Sequence, residues 1–349
     1  MNAAVQTSSP ISIVVPNPGR DTLEAMYLQR HEWADKWYLS ASAINQFISC
    51  PLSFYLHYAQ GLSNDNALSD FMDSGTFGTI IHDVLKTCYN VKPEEKNGHT
   101  VTAEEINYFK DKRLEPTVVY YIKKHYLKIP KESLETDTSH LTGEAFMLVD
   151  TIKSYVTFVL DHDLKIIGTD NKNAFTVLEC EKPHRVENLE IGGARLNFTY
   201  TPDRIDRLAD GTVRIVDYKT GGDPTSFSDL NALFDASKDH KGGDKQRCKA
   251  ILQLFLYCYA YLTENEKVDK VQPVIYKLTS MQSSGVKYSK RQFEFSMDNE
   301  LVKQFIGEMG TVINSIYSEG FRQADEDSLH CNYCRFIDFC RRSIKERDF

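Results

Sequence analysis

Val213 to Gly222 reads V-R-I-V-D-Y-K-T-G-G. At the strand period of two, Val213, Ile215, Asp217 and Lys219 share one face, and Arg214, Val216 and Tyr218 share the other. The pattern predicts an apolar strand that ends with a carboxylate and an ammonium side by side. Gly221 and Gly222 then stop the strand, which leaves both charges near a sheet rim that a substrate can reach. A salt-bridged strand end on the surface is the plain alternative, and the flanking sequence decides between the two.

Upstream, T-Y-T-P-D-R-I-D-R-L places Asp203 fourteen residues before Asp217. Residues 174–187, 194–208 and 212–220 read as three successive strands, separated by G-G and D-G turn signals. Asp203, on the second strand, returns alongside Asp217. Two carboxylates converging on one point are a costly pair unless a divalent cation binds them, and hard oxygen donors suit Mg²⁺ or Mn²⁺. Lys219 points at the same place, where it can orient a water or stabilise charge developing on a phosphate. Asp206 competes for the role of Asp203, but three residues along a strand it faces the opposite side. Ion pairs with Arg204, Arg207 or Arg214 are the structural alternative for both Asp203 and Asp206.

Downstream, residues 246–262 form a nearly all-apolar helix that must be buried. Gln246, Lys249, Gln253 and Tyr257 recur at helical intervals as a polar stripe on it, which a polar cleft beneath the helix would explain. Residues 75–90 predict a second helix, with His82 as a polar residue in an apolar run, by itself more often a core histidine. Ser40 is a good N-cap for a helical stretch to Leu62, and Pro51 can start a new helix after Cys50. Thr102 and Glu105 make a capping box for a helix that Pro116 interrupts, within a helical insertion over 92–172. Residues 221–246 read as a loop, 271–281 and 287–296 as strands, and 299–319 as an amphipathic helix. Residues 1–37 read as a leader or linker before one domain spanning 38–349.

The 349 residues, 26% charged and 11% aromatic, describe a folded chain with an ample core rather than a disordered one. The longest apolar run is too short to span a bilayer, and the N-terminus lacks the basic start and apolar core of a secretory signal. No membrane association is expected, and the cytoplasm is the expected compartment. A net charge of −8 excludes a uniformly basic nucleic-acid coat but not a local basic groove. Eight cysteines in such a chain are more readily ligands or core residues than disulfides. Cys88, Cys180, Cys248 and Cys258 lie in apolar stretches and read as small hydrophobes. Cys331, Cys334 and Cys340 form C-x2-C-x5-C, with Cys50 some 280 residues earlier as the fourth candidate. Four thiolates suit a tetrahedral metal or a cubane cluster, and the spacing leaves zinc and iron–sulfur both open.

Taken together these pieces resemble the PD-(D/E)XK nuclease superfamily, and within it the RecB-like branch with an iron–sulfur staple. AddB-type helicase–nuclease subunits and CRISPR-associated iron–sulfur nucleases share that layout. The matching motifs are G-T-I-I-H ending at His82, D-R-I-D from Asp203, V-D-Y-K-T-G around Asp217, and Q-L-F-L-Y from Gln253 to Tyr257. Cys50-Pro51 followed by Phe54-Tyr55, and the C-terminal cysteines, complete the set over about residues 38 to 343. The resemblance implies an α/β restriction-endonuclease-like core, αβββαβ, with a central mixed sheet flanked by helices. It implies His82, Asp203, Asp217 and the Tyr218 carbonyl as ligands of Mg²⁺ or Mn²⁺, Lys219 as catalytic lysine, and Gln253 and Tyr257 as organisers of the site. It also implies a 4Fe-4S cluster on Cys50, Cys331, Cys334 and Cys340. Where the family has a glycine and an aliphatic residue before the first aspartate, this chain has Thr201 and Pro202.

The function so implied is a metal-dependent DNA nuclease, an exonuclease in end processing and recombinational repair. A non-catalytic DNA-end-binding subunit and a CRISPR-adaptation nuclease are the alternatives. Residues 241–249 and the tail R-R-S-I-K-E-R are candidate phosphate contacts. No G-x4-G-K-[ST] occurs in the chain, so a helicase motor working with it belongs to another chain or domain.

Overall fold

The computed structural model describes residues 12–31, 34–62, 72–134, 136, 141, 143–239, 247–325 and 328–342. Residues 241–246 and 343–347, expected to meet phosphates, and Gln246 of the polar stripe lie outside the described residues. So do residues 1–11 of the expected leader.

The core is one twisted mixed sheet with helices on both faces. Its strands are β1 (His99–Val101), β2 (Phe175–Cys180), β5 (Arg204–Arg207), β6 (Val213–Lys219), β7 (Lys270–Lys277) and β8 (Gln282–Gly285). Across the sheet they run β8-β7-β6-β5-β2-β1, with Phe295–Ser296 added beside the start of β7. Among the described residues of this sheet only β6 and β7 pair in parallel, with Asp217 opposite Ile275. Helix α5 (Lys249–Glu264) makes the crossover between them, as parallel neighbours require.

Alternation along β6 assigns the two faces. Val213 and Ile215 pack with Ile251, Leu254 and Phe255 of α5 in one core. Val216 and Tyr218 pack on the other side with α3 (Ser74–Tyr89) and α4 (Gly143–Ile167), through Ile80, Val84, Ile152 and Val156. Helix α3 begins where Asp73 caps it, its carboxylate accepting from the N–H groups of Gly75 and Thr76 at 2.9 Å each.

Two of the three expected strands are each broken in two. Residues 174–187 divide at Glu181, whose φ of 50° no strand accommodates, and Pro183 follows. Residues 194–208 divide at Pro202, which has no N–H for the ladder. The outer pieces, β3 (His184–Ile191) and β4 (Ala194–Tyr200), form a hairpin of their own, joined by Leu39–Ser40. Gly192 and Gly193 turn it at φ 57° and 78°, as a two-residue hairpin loop demands. Gly192 also touches Gly310 of α6 (Glu300–Ser318), where a Cβ on either residue would fall 2.3 Å from a carbonyl oxygen.

The capping box of Thr102 and Glu105 forms, but Pro116 does not interrupt its helix. A π-turn over Phe109–Arg113 shifts the hydrogen-bond register just before it, and Pro116 sits in the first turn of the helical run Leu114–Tyr121. There a missing N–H costs little. The region read as a helical insertion also supplies β1. Of the segment read as leader, α1 (Arg20–Arg30) is built into the fold. Leu23 is buried, and Val14–Val15 pair with Phe321–Arg322.

Helix α2 (Ala41–Ser49) starts at Ser40, whose Oγ accepts from Ala43 N–H. A new helix begins at Pro51 directly after Cys50. Among the described residues no helix is long and apolar enough to cross a membrane.

Candidate active site

The end of β6 and the break before β5 meet at one rim of the sheet. Asp203 is the residue before Arg204, so it lies in the break rather than within a strand. Its Oδ2 accepts from the backbone N–H of Tyr218 at 2.5 Å, which pins the carboxylate against β6. Asp217 is 2% exposed. Its Oδ1 accepts from Lys219 Nζ at 3.0 Å and from Gln253 Nε2 at 3.3 Å. Its Oδ2 is buried with no hydrogen-bond partner among the described residues. Lys219 also donates to Gln253 Oε1 at 3.2 Å, and Gln253 Nε2 contacts the Tyr257 hydroxyl at 3.0 Å. Of the stripe on α5, Gln253 and Tyr257 thus stand at the rim beside Asp217 and Lys219.

His82 arrives from the middle of α3. Its Nε2 lies 3.1 Å from the Tyr218 carbonyl. Its Nδ1 lies 3.1 Å from Glu181 Oε1 and 3.3 Å from Asp203 Oδ1. It is therefore no core histidine. His82, Glu181 and Asp203 each offer a ligand atom, all within 4.8 Å of one another.

Charge follows from this crowding. Burial pushes Asp217 up to about 7; the Asp203 charge adds to that, against the pull of Lys219 and His82. Asp203 stays below the usual carboxylate range because His82 and Lys219 outweigh its burial. Burial opposes the charge on Lys219, but Asp217 and Asp203 hold it above the usual lysine range. His82 is raised well above an ordinary histidine by Asp203 and Glu181, against its burial. The rim is an acidic pair with a buried bare oxygen, balanced by two cations drawn from the protein itself. A divalent cation fits that donor set of carboxylates, carbonyl and imidazole.

Asp206 is elsewhere. It lies on the opposite face of the sheet with Arg214, which donates to it twice at 2.6 and 2.8 Å. Arg204 joins this buried group, donating to Asp163 of α4 at 2.6 Å. Tyr89 and Tyr276 donate to the same Asp163 at 2.6 and 2.5 Å. Of the ion pairs considered for the D-R-I-D aspartates, Asp206 makes those with Arg204 and Arg214.

Glu181 is the residue at this rim that no motif named. Its signal was the E-K-P break after β2, visible only once Pro183 is taken to end the strand.

Cys50, Cys331, Cys334 and Cys340 line one pocket with Ser53 and Arg342. Cys50 Sγ accepts from the N–H groups of Ser53 and Ala324 at 3.4 and 3.3 Å. Arg342 Nη1 donates to Cys331 Sγ at 3.0 Å. Burial pushes the Cys50 thiol up to about 11. The other four cysteines are also free, and Cys248 and Cys258 are buried.

No curated protein matches the chain. Solved structures do, among them the crystal structure of SSO0001, 13% identical, covering 76% of this chain and 94% of its own, at a TM-score of 0.25. That likeness is too loose to bear on function. The sequence profile of the PD-(D/E)XK nuclease superfamily matches residues 38–341, a span that contains every residue of the rim. This chain belongs to the PD-(D/E)XK nuclease superfamily.

Proposed function

We propose that the protein is a metal-dependent deoxyribonuclease, an exonuclease of DNA end processing and recombinational repair, and the nuclease module of an AddB-type helicase–nuclease. The observation that carries the reading is the buried Oδ2 of Asp217, without a hydrogen-bond partner among the described residues, beside Asp203, the Tyr218 carbonyl and His82. A buried carboxylate oxygen without a donor is costly, and a divalent cation removes the cost. Asp203, Asp217, the Tyr218 carbonyl and His82 would hold Mg²⁺ or Mn²⁺ there, and the bound ion would supply a nucleophilic water at neutral pH and offset phosphate charge.

The chain's own residues do the rest. Lys219, kept protonated by the two aspartates, faces the position where negative charge grows on the phosphate. Gln253 fixes the Lys219 ammonium and is itself fixed by Tyr257, so the cation is oriented before substrate arrives.

The four cysteines fit a 4Fe-4S cluster. Backbone and guanidinium N–H groups point at their sulfurs, as at cluster thiolates. Such a cluster closes a loop of nearly the whole chain around the nuclease core.

The test is cleavage of end-labelled single- and double-stranded DNA by anaerobically purified protein, with Mg²⁺, Mn²⁺ or chelator. Metal-dependent cleavage abolished in Asp217→Ala supports the reading. DNA-end binding without cleavage, with the cluster intact by absorbance, turns the assignment to the non-catalytic end-binding subunit.

A further inference from the structure

Glu181 is held to the rim from two directions. Its backbone has φ 50°, a left-handed conformation that a non-glycine residue adopts at a cost and that concentrates at functional sites. In that conformation its N–H donates to the Asp203 carbonyl at 3.0 Å. Its side chain turns back to His82, with Oε1 3.1 Å from Nδ1. One residue therefore ties the loop carrying Asp203 to the imidazole on α3.

The two nitrogens of His82 are not equivalent. Nε2 faces the Tyr218 carbonyl at 3.1 Å, the carbonyl between Asp217 and Lys219. Nδ1 faces away from it, towards Glu181 and Asp203. With a cation among the aspartates and that carbonyl, Nε2 would be the ligating nitrogen and Nδ1 would keep its proton. That proton needs an acceptor. Asp203 already receives the Tyr218 N–H on one oxygen and is wanted by the cation on the other. Glu181 remains, and metal-bound histidines almost always donate their second N–H to a carboxylate or carbonyl.

We propose that Glu181 is the positioning residue of the cation site. It accepts from Nδ1–H of His82 and so presents Nε2 to the metal, without itself binding the ion. This rests on the reading of the rim as a cation site. The experiment is titration of Mn²⁺ followed by the paramagnetic resonance of the free ion, on wild type, Asp217→Ala, Glu181→Ala and Glu181→Gln, with folding checked by circular dichroism.

The expected result is a loss of about 10- to 100-fold in Mn²⁺ affinity for Glu181→Ala. Glu181→Gln, whose amide oxygen still accepts, should recover most of it. Wild-type affinity in Glu181→Ala, with binding lost in Asp217→Ala, overturns this inference alone. Glu181→Gln as weak as Glu181→Ala also overturns it, because a carboxylate bound directly to the ion would behave so. Mn²⁺ binding unaffected by Asp217→Ala overturns the cation-site reading and this inference with it.

Discussion

Asp203 and Tyr218 are joined side chain to backbone, the carboxylate accepting the Tyr218 N–H at 2.5 Å. The bond crosses from the break before β5 to the end of β6. It sets Asp203 beside Asp217 and leaves the Tyr218 carbonyl turned to His82. The acidic pair is therefore held together by a bond within the chain itself.

Removing this acceptor should be felt without metal. Asp203→Ala leaves a buried N–H unpaired and should cost about 1–3 kcal/mol in urea unfolding under chelator. Asp203→Asn, whose amide oxygen still accepts, should cost less, and both should abolish cleavage. Equal stability of Asp203→Ala and wild type would mean that the bond does not order the rim.

The raised value of Asp217 sets a pH dependence. Its folded value of about 7 lies above the unfolded value near 4, so the folded state binds this proton more tightly. The resulting stability is full below about pH 4 and is lost as pH rises through about 7. His82, also raised, acts in the same direction. Melting temperatures of wild type under chelator should fall from pH 5 to pH 8 more steeply than those of Asp217→Asn. Cation binding runs the other way, since the ion competes with the Asp217 proton. Below pH 7 the Mg²⁺ affinity should rise about tenfold per pH unit or more, as calorimetry would show; a flat profile would contradict the assignment.

Lys219→Met should lower the cleavage rate by about 10²–10³-fold, the loss typical of one preorganised charge donor, while DNA binding by anisotropy changes little. A matching loss of DNA affinity would make Lys219 a phosphate contact rather than a transition-state group.

The opposite face should govern stability. Asp163 and Arg204 are fully buried and pair at 2.6 Å. Asp163→Ala leaves Arg204 short of its partner and should cost about 3–5 kcal/mol by denaturant unfolding. Because Arg204 adjoins Asp203, cation affinity should fall too. A mild effect on both would show that Asp206 alone can hold Arg204.

If the cysteines hold a cluster, Cys334→Ala should lose its visible absorbance and free the C-terminal segment from the helix beginning at Pro51. Limited proteolysis should then cut near residues 324–342 faster than in wild type. Unchanged absorbance and cleavage would contradict the staple.

The alternation in V-R-I-V-D-Y-K determined by itself which face of β6 carries Asp217 and Lys219, because side chains on a strand alternate by covalent geometry. Ser40, Pro51, and Thr102 with Glu105 likewise announced helix starts, since capping is local chemistry. The opposite placement of Asp206 was legible from spacing, whereas His82 read by itself as a core residue and joined the rim residues only through the family resemblance. Other features were not local. Whether 174–187 and 194–208 run straight or break depends on Glu181 and Pro202, and the freed pieces gained a sheet of their own with Leu39–Ser40. Pro116 kept its helix because a π-turn beside it absorbs the register shift. Glu181 reached His82, 99 residues away in sequence, through a left-handed backbone that no pattern announces. Periodicity and caps are written residue by residue, whereas the partners of buried charges are chosen only when distant segments pack together and exclude water.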